Sequence, residues 1–115
     1  MTEGWTRVCD LDEVLSGTGV CALVDGRQIA VFRIADAVYA LDNFDPASKA
    51  NVLARGLVGD LKGERVVASP IYKHHYSLTT GQCLEDGDRF VSVHRARVLD
   101  GRIWVKVGGE TTRTT

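Results

Sequence analysis

The chain has 115 residues, of which 44% are hydrophobic and 25% are charged, and this suits a single globular domain with its own core. Its formal net charge of −1 gives it no electrostatic reason to bind nucleic acid or anionic lipid. No apolar run approaches the roughly 20 residues of a membrane-spanning helix, and the first residues lack a secretory signal pattern. We therefore expect a cytoplasmic chain that binds neither nucleic acid nor a membrane.

The first third of the chain predicts a strand, a helical turn and a meander of three antiparallel strands. Residues 5–9 indicate the opening strand. Asp10 and Glu13 can form a variant of the capping box that starts one or two helical turns, and Gly17 can end them. The hairpin signal Asp25-Gly26 follows. The meander strands are predicted at residues 20–24, 28–33 and 38–41.

The rest of the chain predicts further short strands around irregular loops. Residues 42–63 show little periodicity, and such a long irregular stretch in a small domain is usually functional. Strands are predicted at residues 65–68, 76–78, 83–84, 91–99 and 102–107, and the hairpin signal Asp100-Gly101 separates the last two. About nine short strands indicate an all-β fold, an antiparallel sandwich or small barrel, over residues 1–108. Residues 109–115 are expected to form a flexible tail.

Two loops, residues 43–52 and 69–75, carry the most informative motifs. The first contains Asp45-Pro46-Ala47 and the second contains Ser69-Pro70-Ile71-Tyr72. Here the sequence resembles the Rieske family, which binds a 2Fe-2S cluster through Cys-Pro-His in one loop and Cys-Pro-x-His in the other. The resemblance places Asp45 and Ser69 at the cysteine positions and Ala47 and Tyr72 at the histidine positions. It implies a Rieske-like fold with two loop-bearing hairpins.

The side chains at these four positions are poor ligands for such a cluster. A Rieske centre uses two thiolates on one iron and two imidazoles on the other. Asp45 offers a hard carboxylate oxygen and Ala47 offers no donor atom. Ser69 offers a hydroxyl, and Tyr72 offers a phenol with an ordinary pKa of about 10. We therefore expect these to be vestigial ligand positions, with no cofactor, metal site or catalytic residue in this chain.

Within the Rieske superfamily, the chain resembles the small subunit of assimilatory nitrite reductase, the NirD type. The most specific segments are residues 43–46, 52–60 and 67–73. The resemblance implies a non-catalytic subunit, inactive alone, of an NAD(P)H-dependent enzyme that reduces nitrite to ammonium in nitrate assimilation. It further implies a large partner subunit that carries flavin (FAD), sirohaem and a 4Fe-4S cluster.

Two functions of other classes stay open. One is a Rieske-type ferredoxin that transfers electrons, which requires bound iron and visible absorbance. The other is a small independent enzyme using the 69–75 loop, which requires Ser69, Tyr72 and either His74 or His75 to converge in a concave polar pocket.

The loops also suggest a surface for the partner. Apolar and cationic side chains on rigid loops suit a cluster of residues that dominates binding. The candidates are Phe44, Arg55, Lys73, His74 and His75. Because His74 and His75 are adjacent, they are expected to point to opposite sides and not to share a metal.

Other motifs have simpler structural explanations. Gly56-x-x-Gly59 is a weak phosphate-binding pattern, because no helix follows it. His94, on a predicted strand, is expected to face outward at the surface. Three arginines are expected to line one solvated face of the last hairpin, and three cysteines without C-x-x-C spacing are expected to be small buried hydrophobes. These are Arg95, Arg97 and Arg102, and Cys9, Cys21 and Cys83.

Overall fold

The computed structural model describes residues 4–107, and within this range it contains eleven strands, two short 3₁₀ turns and no α-helix. The strands are β1 (Thr6–Asp10), β2 (Thr18–Val24), β3 (Arg27–Ile34), β4 (Ala37–Asp42), β5 (Phe44–Asp45), β6 (Ala50–Asn51), β7 (Leu57–Leu61), β8 (Glu64–Ala68), β9 (His75–Ser77), β10 (Val93–Leu99) and β11 (Arg102–Lys106). The 3₁₀ turns are Leu11–Glu13 and Leu53–Arg55. The predicted tail, residues 109–115, lies outside the described residues. Across residues 4–107, no helix has the length and apolar character needed to cross a bilayer.

Six strands form one antiparallel sheet in the order β1-β11-β10-β4-β3-β2. The sheet curls into a nearly closed barrel in which the end strands, β1 and β2, approach each other. A separate three-stranded sheet has the order β7-β8-β9, and β5 pairs with β6. The all-β antiparallel architecture predicted from the sequence is confirmed.

The two predicted hairpin signals form the tight turns of the barrel. Asp25 and Gly26 have φ angles of 52° and 78°, and Asp100 and Gly101 have φ angles of 56° and 74°. The type I′ hairpin turn requires positive φ at both central residues, and aspartate and glycine tolerate this conformation better than most residue types. These turns set the register of β2 with β3 and of β10 with β11.

Strand β3 is buried on both faces and joins two hydrophobic clusters. Ile29 and Val31 point into the barrel, where they pack with Ile103 and Val105. Ala30 and Phe32 point the other way, into a second cluster that includes residues of the three-stranded sheet. A strand segment covered on both faces is expected to be continuously apolar, as residues 29–32 are. The double burial fixes the three-stranded sheet, and the loops near it, against the barrel wall.

The structure corrects two parts of the predicted strand pattern. Residues 42–63, predicted as irregular, contain β5, β6, the second 3₁₀ turn and β7. Residues 83–84, predicted as a strand, contribute only the isolated bridge between Tyr76 and Cys83. The predicted N-terminal helical turn is a single 3₁₀ turn in which the Glu13 carboxylate accepts a hydrogen bond of 3.1 Å from the amide of Asp10.

Candidate functional site

The two loops begin with turns of the same design. In the first loop (residues 43–52), the carbonyl of Asp45 accepts a hydrogen bond of 2.7 Å from the amide of Lys49. In the second loop (residues 69–75), the carbonyl of Ser69 accepts one of 3.0 Å from the amide of Lys73. Both lysines adopt a positive φ, near 61°. Each turn thus starts at a residue that the sequence resemblance predicts at a family cysteine position.

The carboxylate of Asp45 lies between the loops and accepts four hydrogen bonds. Its Oδ1 accepts from the hydroxyl of Tyr76 and from the amide of Ala47, each at 2.9 Å. Its Oδ2 accepts from Ser48 Oγ at 2.9 Å and from the hydroxyl of Ser69. Asp45 is completely buried, and Ser69 is 1% exposed. We call Asp45, Ser48, Ser69 and Tyr76 the Asp45 cluster.

These contacts shift the pKa values of two groups in opposite directions. Burial raises the pKa of Asp45, but the hydrogen bonds from Ser69, the Ala47 amide, Tyr76 and Ser48 together outweigh it, so the pKa lies below its ordinary value. Burial and then the neighbouring Asp45 carboxylate raise the pKa of Tyr76 well above its ordinary value. The cluster is therefore a carboxylate bound by neutral donors at neutral pH.

The side chains at the four ligand positions do not fit a 2Fe-2S cluster. Both oxygens of Asp45 are committed to protein donors, and Ser69 donates to one of them. Ala47 has no donor atom, and the phenol of Tyr72 projects from the surface with 60% of the residue exposed. Within residues 4–107 there is also no group of three or more histidine, cysteine or acidic side chains positioned to hold a metal ion.

The adjacent histidines of the second loop have separate environments. His75 Nδ1 lies 2.6 Å from Glu85 Oε2, and its amide donates to the other oxygen of Glu85 at 2.8 Å. The ring of His74 instead meets the ring of Tyr72 edge-on, with 6.4 Å between centroids. Its Nδ1 is buried and has no hydrogen-bond partner within residues 4–107. The two imidazoles are thus held by different neighbours.

The end of the molecule formed by the two loops exposes apolar side chains. Phe44 is 44% exposed, beside the buried Asp45, and Ile71 and Tyr72 of the second loop are also exposed. Lys73 follows them and is exposed too. Sequence reasoning proposed Phe44 and Lys73 for an interface but missed Ile71 and Tyr72, although their place in a proline-containing turn was a signal for exposure.

The other three interface candidates lie at the margins of this end, and one of them, His74, packs against Tyr72 as described above. Arg55 is exposed at the end of the second 3₁₀ turn, and His75 is half-buried on β9. We call four exposed residues of the two loops, Phe44, Ile71, Tyr72 and Lys73, the tip surface. The hydrogen bond from Ser69 to Asp45 joins the two loops beneath this surface.

Gly56 packs the second 3₁₀ turn against β8. A Cβ atom at this position would lie 2.4 Å from the carbonyl oxygen of Ala68 and 2.7 Å from Val67 Cγ2. At Gly59, by contrast, nothing lies within 4 Å of such an atom. This close approach explains why residue 56 is a glycine, and no phosphate ligand is needed to explain it.

The prediction that His94 faces outward is wrong. His94 is 5% exposed, and its Nε2 lies 2.7 Å from Asp42 Oδ1. Arg27 Nη2 donates to the same oxygen at 3.0 Å. Burial raises the pKa of Asp42, but the contacts with His94 and Arg27 outweigh it and lower the pKa overall. The expectation of buried cysteines is also wrong at Cys21, which is exposed.

Neither of two surface cavities suits a catalytic site in the second loop. One, of about 370 Å³, lies between β1 and β2, and the other, of about 230 Å³, lies beside β7 and β8. His75 borders the second cavity, but Ser69, Tyr72 and His74 line neither. Because the hydroxyl of Ser69 is buried against Asp45, the convergent polar pocket required for an independent enzyme is not formed by these residues.

Comparison with known proteins identifies the family. The family model described as "Rieske-like [2Fe-2S] domain" matches residues 4–106. A nitrite reductase (NADH) small subunit of Salmonella typhimurium is 44% identical over 104 residues, which are 89% of this chain and 96% of that protein. This chain is a Rieske-like domain of the NirD type. The crystal structure of a putative NADH-dependent nitrite reductase small subunit from Mycobacterium tuberculosis is 46% identical, with a TM-score of 0.85, and the match covers 88% of this chain and 92% of that one.

A similar domain also occurs inside a much longer protein. A nitrite reductase [NAD(P)H] large subunit of Klebsiella oxytoca is 46% identical to this NirD-type chain over 101 residues. The match covers 88% of the chain but only 11% of the Klebsiella protein. The domain is therefore found both as a separate small subunit and as part of a larger polypeptide.

Proposed function

We propose that this chain is an accessory, non-catalytic small subunit of a cytoplasmic NAD(P)H-dependent nitrite reductase that reduces nitrite to ammonium in nitrate assimilation. It binds and supports a large subunit, which carries the FAD, the sirohaem and the 4Fe-4S cluster. The chain on its own is inactive.

The observation that carries the proposal is the Asp45 cluster. In a Rieske centre the two loops are joined through iron, which also transfers the electron. Here the carboxylate of Asp45 accepts hydrogen bonds from both loops. Groups of the protein therefore join the loops at the positions where the resemblance predicts cluster ligands. The loops are held in place by groups that do not change redox state. This favours a binding role over electron transfer.

The tip surface has the composition of a protein-binding site. Aromatic and apolar side chains are exposed beside a cation, on turns whose backbones are fixed by internal hydrogen bonds. Such pre-organisation lowers the entropy lost on binding, and aromatic side chains often dominate the binding energy. Arg55, His74 and His75 extend the surface at its margins. We propose that it contacts the large subunit.

The Klebsiella protein supports this choice of partner. There a domain similar to this chain lies within a polypeptide named as the large subunit. A domain tethered to its partner meets it at a high effective concentration, so fusion favours domains that already act together. The simplest interpretation is that this chain and a large subunit pair in the same way as separate polypeptides.

Co-expression with the large subunit tests the proposal. The tagged small subunit is expected to purify together with the large subunit in a fixed ratio. Nitrite-dependent NADH oxidation is expected from the complex and not from this chain alone, and the large subunit alone is the second control. If the chain by itself reduces nitrite, or if the two chains purify separately under all salt conditions, the proposal is wrong.

A further inference from the structure

The outer face of β1, β11 and β10 carries an unusual concentration of positive charge. On this part of the barrel Ile103 and Val105 point inward and are completely buried, so alternate positions point outward. The register pairs Trp104 with Arg97 on one side and with Arg7 on the other. We call this surface the basic face; its cations are Arg7, Arg95, Arg97, Arg102 and Lys106.

The needs of folding do not explain this arrangement. Arg95 and Lys106 are directly opposite each other in the register, and like charges in that position destabilise a sheet. Among the outward register positions of the three strands, one acid, Asp10, balances the cations, with Oδ1 3.7 Å from Arg102 Nε. The whole chain has a formal net charge of −1, so the basic face does not reflect a generally basic protein.

The basic face also contains both tryptophans of the chain. The guanidinium carbon of Arg97 lies 4.2 Å from the centre of the Trp5 ring, in a cation–π contact that fixes the arginine. Trp104 lies between Arg7 and Arg97 in the register, and its indole N–H is buried with no hydrogen-bond partner among residues 4–107. Tryptophan and arginine are enriched where protein partners bind.

We infer that the basic face is a second docking surface, which binds an acidic surface of the large subunit. The inference rests on the proposed function but shares no residue with the tip surface. Cations grouped on one face, next to aromatic side chains, complement a protein surface of carboxylates better than a hydrated small anion. Nucleic acid is the weaker choice, because the rest of the chain is net acidic and repels a polyanion.

Charge reversal at Arg95 separates binding from folding. In Arg95→Glu the new carboxylate faces Lys106 across the strand pair, so the thermal midpoint of the isolated chain is expected to stay constant or rise. The dissociation constant for the large subunit is nevertheless expected to increase by about tenfold or more at low salt, because a carboxylate then faces carboxylates. Lys62→Glu is the control: it makes the same charge change at an exposed turn outside the basic face, and its affinity is expected to match the wild type.

The salt dependence provides an independent measurement. Wild-type affinity is expected to fall as salt increases, and the slope is expected to be shallower for Arg95→Glu, since fewer favourable charge contacts remain to be screened. Equal affinity and slope for Arg95→Glu and the wild type would overturn the inference while leaving the proposed function intact, provided that the wild-type complex forms. Failure of the wild-type complex would overturn both. Binding of a DNA duplex that Arg95→Glu abolishes, with an unchanged subunit complex, would assign the face to nucleic acid instead.

Discussion

The hydroxyl of Ser69 donates a hydrogen bond to the carboxylate of Asp45, 24 positions earlier in the chain, and this contact joins the two loops. The sequence resemblance predicts both residues at cysteine ligand positions of the family. The contact is buried and is reinforced by Tyr76, which donates from β9 to the other carboxylate oxygen. Side-chain hydrogen bonds thus form a structural contact between the two loops.

Removal of the carboxylate is expected to destabilise the chain. In Asp45→Ala the hydroxyls of Ser69 and Tyr76 lose their acceptor inside the protein, and unsatisfied buried donors are costly. The free energy of unfolding should fall by about 2–4 kcal/mol in urea denaturation. Asp60→Ala, which removes an exposed carboxylate from β7, should stay within about 0.5 kcal/mol of the wild type. Equal losses for both variants would show that the Asp45 cluster does not hold the loops.

The stability of the chain should decrease in acid for the same reason. The pKa of Asp45 is lowered in the folded state, so its stabilising contribution is complete above the ordinary carboxyl pKa of 3.8 and is lost as pH falls through the lower, folded value. Asp45→Asn cannot titrate at this position. Its stability should therefore be lower at neutral pH but decrease less steeply below pH 4 or so. Denaturation curves from pH 7 to pH 3 measure this, and parallel curves would contradict the assignment.

The ligand positions predict a colourless protein. The wild-type chain is purified anaerobically and incubated with ferrous iron and sulfide. It is expected to show no cluster absorbance, because none of the four positions supplies a thiolate or imidazole. The matched variant restores all four donors through Asp45→Cys, Ala47→His, Ser69→Cys and Tyr72→His. Visible absorbance is expected in this variant alone. Stoichiometric iron and sulfide in the wild type would instead support the ferredoxin alternative.

Two nearby glycines should respond differently to the same substitution. Gly56→Ala places a methyl group against the carbonyl of Ala68, which is backbone and cannot swing away, so unfolding free energy should drop by about 1–3 kcal/mol. Gly59→Ala meets open space and should be neutral or slightly stabilising, because it reduces the entropy of the unfolded chain. Thermal melts of the two variants make the comparison. A larger loss at Gly59 would contradict the described packing.

Charge reversal at the tip should weaken the complex without unfolding the chain. Lys73→Glu combined with Arg55→Glu changes two exposed side chains, so the thermal midpoint should stay close to that of the wild type. Affinity for the large subunit should fall by about tenfold or more. Lys62→Glu is matched to Lys73→Glu in both exposure and backbone, since these lysines have φ angles of 55° and 61°. An unchanged complex would remove the tip surface from the interface.

The parts of the fold that short sequence patterns determine were predictable. Asp25-Gly26 and Asp100-Gly101 impose tight turns locally, and the apolar strands beside them follow. The strands within residues 42–63 were not predictable. Strands β5 and β6 have only two residues each, and β7 includes Gly59 and Asp60, so none of them has a clear alternating pattern. These strands form because their partners lie beside them in the folded chain.

Long-range polar pairs explain the remaining errors at the site. Nothing near His94 in the sequence indicates that it is buried, because its partner Asp42 lies 52 positions away. The resemblance predicts the four ligand positions, but it does not predict the hydrogen bonds of Asp45, since these depend on how the two loops approach each other. A carboxylate at one predicted cysteine position and a hydroxyl at the other are nevertheless a complementary acceptor and donor. This is a signal that could have been used.

Because side-chain hydrogen bonds join the two loops, the arrangement of the loops forms as the polypeptide folds. The Asp45 cluster consists of side chains of the polypeptide itself, so the contact between the loops needs neither iron nor sulfide to form. Under the proposed function, the chain is therefore expected to reach its final shape in a cell starved of iron, ahead of any metal-dependent partner.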